Sequence, residues 1–288
     1  MSERHARVAA LTLFVISFAV LYAKVMRGLV SDWIVDDTYS HGFFIVPLAA
    51  YFVWERRKSL SALRIEGTPV GLAVVLTGIL VLVAGQLGAE LFLSRVSMLF
   101  VAGGALLYVL GWNHLRALAF PLLFLLLMIP IPTIIFNSVA FPLQLVASRF
   151  GETLLQFWHV PVLREGNVII LANTTLEVAE ACSGIRSLMS LLALAIVYGY
   201  FMDPRPRFRI LLAIATVPIA IVSNGVRVAG SGLAAHYYGP DAARGFLHES
   251  TGMIVFAVAF AILVIVARLL RWALRTAAVR PAVAEVTS

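Results

Sequence analysis

The chain has 288 residues, 61% of them hydrophobic and only 13% charged, with a mean hydropathy of +0.95. That leaves too little polar surface for a domain dissolved in water. A net charge of +7 could point to nucleic acid, but the basic residues stand in short loops between apolar runs, where the positive-inside bias accounts for them and no nucleic-acid partner is needed. Runs of ~20 apolar residues, enough to cross ~30 Å of hydrocarbon, recur along the chain. The fold class expected is an all-α polytopic membrane protein of about eight spans, forming one domain over residues 1–288.

The first span is read at 8–29 and, with no clear Ala-x-Ala site after it, as a retained helix. The second, 42–54, is short by spanning standards and must tilt, re-enter or begin earlier. Asp37 and His41 stand just before it. They either orient a substrate or the catalytic set, or cap a helix beside a solvated loop. Spans at 68–88, 95–111 and 114–132 follow.

Residues 133–181 form one long excursion. Its first part, "IIFNSVAFPLQLVASRFGETLLQFW", has apolar residues at helical spacing interrupted by polar positions and Pro142, and reads as an amphipathic or re-entrant helix at the membrane surface. Its second part, "VPVLREGNVIILANTTLEVAEACSG", has the β-branched runs and turn residues of two short strands in a hairpin. The "NTT" triplet inside it matches a glycosylation sequon by accident. Three more spans follow at 183–202, 209–228 and 250–270. The clusters "ERRKS" and "DPRPRFR" then fall on one face, which sets both termini inside, although Lys24 and Arg27 go against the rule. The long excursion is expected on the outer face, and the inner basic loops are expected to contact anionic lipid.

The only cysteine, Cys182, lies in "VAEACSGIRS", where the excursion ends and a span begins. A single thiol forms no internal disulfide. At a helix N-terminus its pKa falls and the thiolate is favoured. Many membrane cysteines are small packing residues, but this one is flanked by Glu177, Glu180, Ser183 and Arg186, with Arg186 about one turn deeper on the same face. Glu177 and Glu180 either pair with Arg186 or Arg227 or remain solvated. Arg227 in "SNGVRVAG", preceded by Asn224, is expected ~27 Å along its helix from residue 209, at the outer boundary. There it either serves a site or snorkels to the headgroups. His248 in "GFLHESTGM" is expected just before the last span, as a site residue or a loop histidine beside a cap. Cysteine can attack a carbonyl, histidine can move a proton and arginine can hold an oxyanion, a set suited to acyl transfer or peptide cleavage.

The blocks "EACSGIRSL", "NGVRV" and "HESTGMIVF", with "DDTYSHGFFIVPLAAYFVWERR" near the N-terminus, resemble in order and spacing the signature blocks of the exosortase/archaeosortase family. The early block includes Asp37, Tyr39, Ser40, His41 and Gly42. The resemblance implies a multi-pass transpeptidase-like enzyme in a bacterial inner membrane, its active site facing the periplasm. Its partners would be exported proteins with a C-terminal sorting signal: a Pro-Glu-Pro-type motif, a transmembrane helix and a basic cluster. Carried over, Cys182 is the nucleophile, Arg227 the essential arginine and His248 the third catalytic member. Asn224, Arg186, Glu177, Glu180, Ser183, His41 and Asp37 would support the site or bind substrate. Archaeal relatives tend to have arginine in place of this histidine, and Met253 stands where tryptophan is common. No cofactor is implied, and the six histidines show no pair at metal-site spacing.

Three other readings compete. A membrane serine protease would use Ser183 with His248. A transporter would place ionisable groups at the midplane of broken helices, whereas "PLLFLLLMIPIP" breaks a helix without a charge. A scaffold for envelope polysaccharide export would need no chemistry at all.

Overall fold

Apolar runs become helices because, in lipid, a helix satisfies every backbone polar group within its own segment. The computed structural model describes residues 3–178, 184–240 and 246–284. Six of its helices are long and apolar enough to cross a membrane, and three shorter apolar helices accompany them. The chain divides into two compact units, Met1–Pro132 and Thr133–Ser288.

In the first unit α1 spans Glu3–Val35, α2 Gly42–Glu55, α3 Arg57–Ser61, α4 Val70–Leu87, α5 Leu91–Leu110 and α6 Trp112–Phe124. A 3₁₀ turn at Leu125–Met128 ends α6, short of the expected 132, because "MIPIP" places two prolines where helical N–H donors would be needed. The short second helix is as expected. α4 and α5 approach backbone to backbone. A Cβ on Gly71 would lie 2.2 Å from the Tyr108 nitrogen, and one on Gly104 2.7 Å from the Val75 nitrogen. Gly71, Gly78 and Gly85 share that buried seam at heptad spacing, the small-residue packing that apolar helices use in lipid.

The block before α2 folds back on the broken end of α6. The Trp33 indole N–H donates to the Met128 carbonyl at 2.9 Å, and the Ile131 N–H donates to the Tyr39 hydroxyl at 3.2 Å. His41 Nε2 stands 3.0 Å from the Leu127 carbonyl. These three side chains satisfy backbone groups that the prolines and the 3₁₀ turn release. Gly42 is required by the same packing, since its Cβ would meet the Trp33 ring at 2.4 Å.

In the second unit α7 runs Thr133–Phe157, α8 Gly184–Met202, α9 Pro206–Tyr238 and α10 Phe246–Ala284. α7 continues through Pro142 as one helix, long and apolar enough by composition to be a candidate span, where the sequence pattern suggests an amphipathic or re-entrant helix. The expected hairpin carries a third strand. β1 (Val162–Glu165), β2 (Val168–Leu171) and β3 (Thr175–Glu177) form an antiparallel sheet in that order. Glu165 pairs with Val168, leaving a two-residue turn whose first position, Gly166, has φ +64°, a value that favours glycine. The sheet is fastened to α7 by Arg164 and Glu152, 2.8 Å apart, and by the Ser148 hydroxyl near the Gly166 carbonyl at 3.0 Å.

α9 is longer than its apolar stretch. It passes the expected end at 228 and runs to Tyr238, stopping at Gly239, where φ is +90°. The added turns, "AGSGLAAHYY", lower the hydropathy but contain no proline to end the helix. They carry the sheet: Val228, Ala229 and Ala235 bury against Leu155, Val160, Ile169, Leu171, Leu176 and Val178. Asn173, the sequon asparagine, donates its amide to the Ala235 carbonyl at 2.7 Å. The motif is a tie between a turn and a helix.

Candidate functional site

The second unit's helices meet around Arg227. This residue lies in α9, about three turns before the helix ends at Tyr238, so it is not at the helix terminus that the sequence pattern implied. It lines a narrow cavity with Ser187 and Leu191 of α8, Asn224 and Ser223 of its own helix, and Gly252, Val255 and Phe256 of α10. Asn224 is one turn before Arg227, on the same side of α9, and is 8% exposed. A second cavity, lined by Gln144, Leu143 and Ala147 of α7 and by Leu188, Val217 and Ile221, shares Ala220 and Asn224 with the first. Asn224 therefore stands at the junction of an apolar recess and the arginine cavity.

The close contact is with α10. A Cβ on Gly252 would fall 2.9 Å from Arg227 Nη2, 3.1 Å from Cζ and 3.4 Å from Nη1, so the guanidinium lies against bare helix backbone. His248 belongs to the first turn of α10, and not to a loop before it. It is four residues before Gly252, hence on the same helical face, about 6 Å along the axis. Its side chain lies outside the described residues, as do Glu180, Cys182 and Ser183. The described chain resumes at Gly184, in α8.

Glu177 closes β3, opposite Val168, with an exposed side chain, and Arg186 is exposed in the first turn of α8. Asp37 and His41 belong to the first unit. Asp37 is exposed, and its carbonyl accepts from the Ser40 hydroxyl at 2.9 Å. His41 Nδ1 is buried. Burial holds the pKa of His41 below its ordinary value against smaller opposing effects of the Leu127 and Thr38 backbone. A neutral ring donating from Nε2 to Leu127 fits this setting.

Sequence reasoning did not single out Gly252 or Ser187. A glycine inside a helix costs ~1 kcal/mol relative to alanine, and that cost at position 252 was the readable signal. Ser187 had none, since its relevance depends on which face of α8 meets α9.

Residues 33–265 match the family described as transmembrane exosortase. No curated protein matches the chain, and no solved structure does. The match spans more than half of the sequence and contains Arg227, Asn224, Cys182 and His248. This chain accordingly belongs to the transmembrane exosortase family, a family with a general role in membrane-bound transpeptidation and protein sorting.

Proposed function

We propose that the protein is a cysteine-type peptidase or transpeptidase that removes a C-terminal sorting signal from exported proteins, with Cys182, Arg227 and His248 as its catalytic residues. The observation supporting this reading most directly is the seat of Arg227 at the meeting of α8, α9 and α10. The other two catalytic residues are close in sequence to segments that border it. Val178 is buried with Val228 and Ala229 beside Arg227, and Cys182 follows four residues later. Four residues reach at most ~14 Å. On its other side the thiol is five residues from Ser187, which lines the arginine cavity. One anchor of the cysteine segment thus packs on the residues following Arg227, and the other lines its cavity.

In this mechanism the Cys182 thiolate adds to the scissile carbonyl, and the carbonyl π electrons move onto oxygen. Arg227 stabilises the resulting oxyanion. The tetrahedral adduct collapses, the C–N bond breaks, and His248 gives its proton to the departing amine. The product is a thioester on Cys182 and a released C-terminal segment. An amine or water then attacks the thioester, passes its proton to His248 and restores the thiol. The substrate is an exported protein ending in a Pro-Glu-Pro-type motif, an apolar helix and a basic cluster. The site faces the periplasm of a bacterial inner membrane, and the inner basic loops contact anionic lipid.

The test is co-expression with a protein from the same genome that bears such a tail, followed by its size on a gel. Wild type is expected to shorten it, while Cys182→Ala leaves it full length. Processing that survives Cys182→Ala but is lost in Ser183→Ala would replace this reading with a serine protease. Processing that survives both variants would leave neither reading standing.

A further inference from the structure

Building on the catalytic reading of Arg227, we infer that Gly252 is a positioning residue: its missing side chain forms the seat that fixes the Arg227 guanidinium against α10. Three observations carry this. The guanidinium crowds the space a Cβ would take, with Nη2 2.9 Å and Cζ 3.1 Å from that position. Those separations are too close for ordinary contact, so any side chain at 252 displaces the arginine or the helix. The glycine also serves no turn: it lies inside α10, Phe246–Ala284, where alanine would be the better helix former. Finally, the cavity beside the guanidinium takes Ser187 from α8 and Asn224 from α9. The seat thus sets the distance of Arg227 from polar side chains on α8 and α9.

The geometry fixes an orientation as well as a distance. A planar guanidinium with five N–H donors can lie flat on backbone and still direct its edge outward. With the plane held on Gly252, the fork is fixed in the wall of the cavity, and His248 is one turn away along the same face of α10. Such an arrangement lets one arginine face an oxyanion without first reorganising, the condition under which a donor is worth most to a transition state. A methyl group at 252 would leave the charge present and move the fork.

The experiment uses the full-length protein in membranes with the tagged substrate, comparing wild type, Gly252→Ala, Arg227→Lys and the double variant, with Val258→Ala as an exposed control on the same helix. Gly252→Ala is expected to lower kcat by about 10- to 100-fold, the scale of a group misplaced by about 1 Å. KM should be nearly unchanged, and the melting temperature unchanged or raised. In the Arg227→Lys background the Gly252→Ala loss should shrink, because a compact ammonium does not need the flat seat. Should Gly252→Ala fail to accumulate, recovery in the double variant is expected, and absence of recovery would overturn the seat. Wild-type turnover in Gly252→Ala would overturn it too, as would losses that simply multiply in the double variant. These results leave the catalytic reading intact if Arg227→Ala is still inactive. If Arg227→Ala processes substrate normally, the catalytic reading falls and takes the seat with it.

Discussion

Two arginines lie within apolar helices and have different neighbours. Arg95 of α5, whose side chain is 4% exposed, is closed by Asp32 of α1 at 2.6 Å. Arg227 of α9 borders a cavity formed with hydroxyl, amide and bare backbone groups of three helices. A charge placed among apolar helices is costly, and the two units meet that cost differently. The first sets its charge against a fixed carboxylate. The second sets its charge against a space that a ligand atom could enter. An arginine in a membrane helix therefore signals function only when the groups around it are known.

Exchanging the two arginines for alanine should separate these roles most widely. Arg227→Ala is expected to lower processing by about 10²- to 10³-fold, the loss typical of a missing oxyanion donor, with little change in thermal unfolding in detergent. Arg95→Ala should do the reverse. It leaves Asp32 without its partner and should cost ~2 kcal/mol of stability, while the molecules that remain folded process substrate at the normal rate. An Arg95→Ala protein that is stable but inactive would break the comparison and move Arg95 into the site.

The packing around the first unit's polar ties gives a smaller effect. Gly42→Ala places a methyl group 2.4 Å from Trp33 Nε1. Overpacking of this kind costs ~1–3 kcal/mol and should loosen the indole's hydrogen bond to Met128. Trp33→Phe removes that bond together with part of the ring's packing and should cost ~1–3 kcal/mol. Melting temperatures of the two variants are the measurement. Equal values for both variants and wild type would show that the contact with the broken end of α6 contributes nothing.

Much of this was legible from sequence, for definite reasons. The spans 68–88 and 95–111 became α4 and α5 within a few residues, because long apolar runs bounded by polar residues leave few alternatives. The end of α9 was misplaced because hydropathy reports where lipid could be, whereas the helix ends where Gly239 turns. β3 was missed because three residues are too few for an alternating pattern to stand out. The role of Arg95 was hidden because its partner, Asp32, lies 63 residues away. For the site, residue types and blocks named Arg227, Cys182 and His248. That α8 and α10 both approach Arg227 could be learned only from packing, and so could the use of Gly252.

His41 sharpens the contrast between a closed polar site and an open one. Its pKa is lowered by burial, so in acid the unfolded chain binds a proton that the folded chain resists. Stability is then whole above the ordinary histidine value of about 6.5 and falls as pH drops below it. The expected result is a melting temperature that declines between about pH 7 and 5 in wild type and much less in His41→Gln. Equal slopes would mean that His41 does not titrate in this setting.

The smallest effect belongs to the ionic clasp at the other polar cluster of the second unit, in the loop joining α8 and α9. Asp203 accepts from Arg205 Nε at 2.9 Å and Nη2 at 2.7 Å, while Arg271 of α10 lies 3.7 Å away. Arg205 also donates to the Leu274 carbonyl at 3.1 Å, so one carboxylate secures the loop to the last helix. Hydrogen bonding to Arg205 holds the Asp203 pKa down to about 2. A depressed carboxyl stabilises the fold above its unfolded value of about 3.9 and loses that contribution as pH falls through the folded value. Because Arg205 is partly exposed, salt should screen part of the effect. Wild type is expected to lose stability between about pH 4 and 2, with Asp203→Asn nearly flat over that interval and processing at neutral pH unchanged. An Asp203→Asn protein that keeps the acid slope would assign it to other carboxylates. One that folds normally yet fails to process substrate would make the clasp part of the machinery around Arg227, and the division between closed and open polar sites would have to be drawn elsewhere.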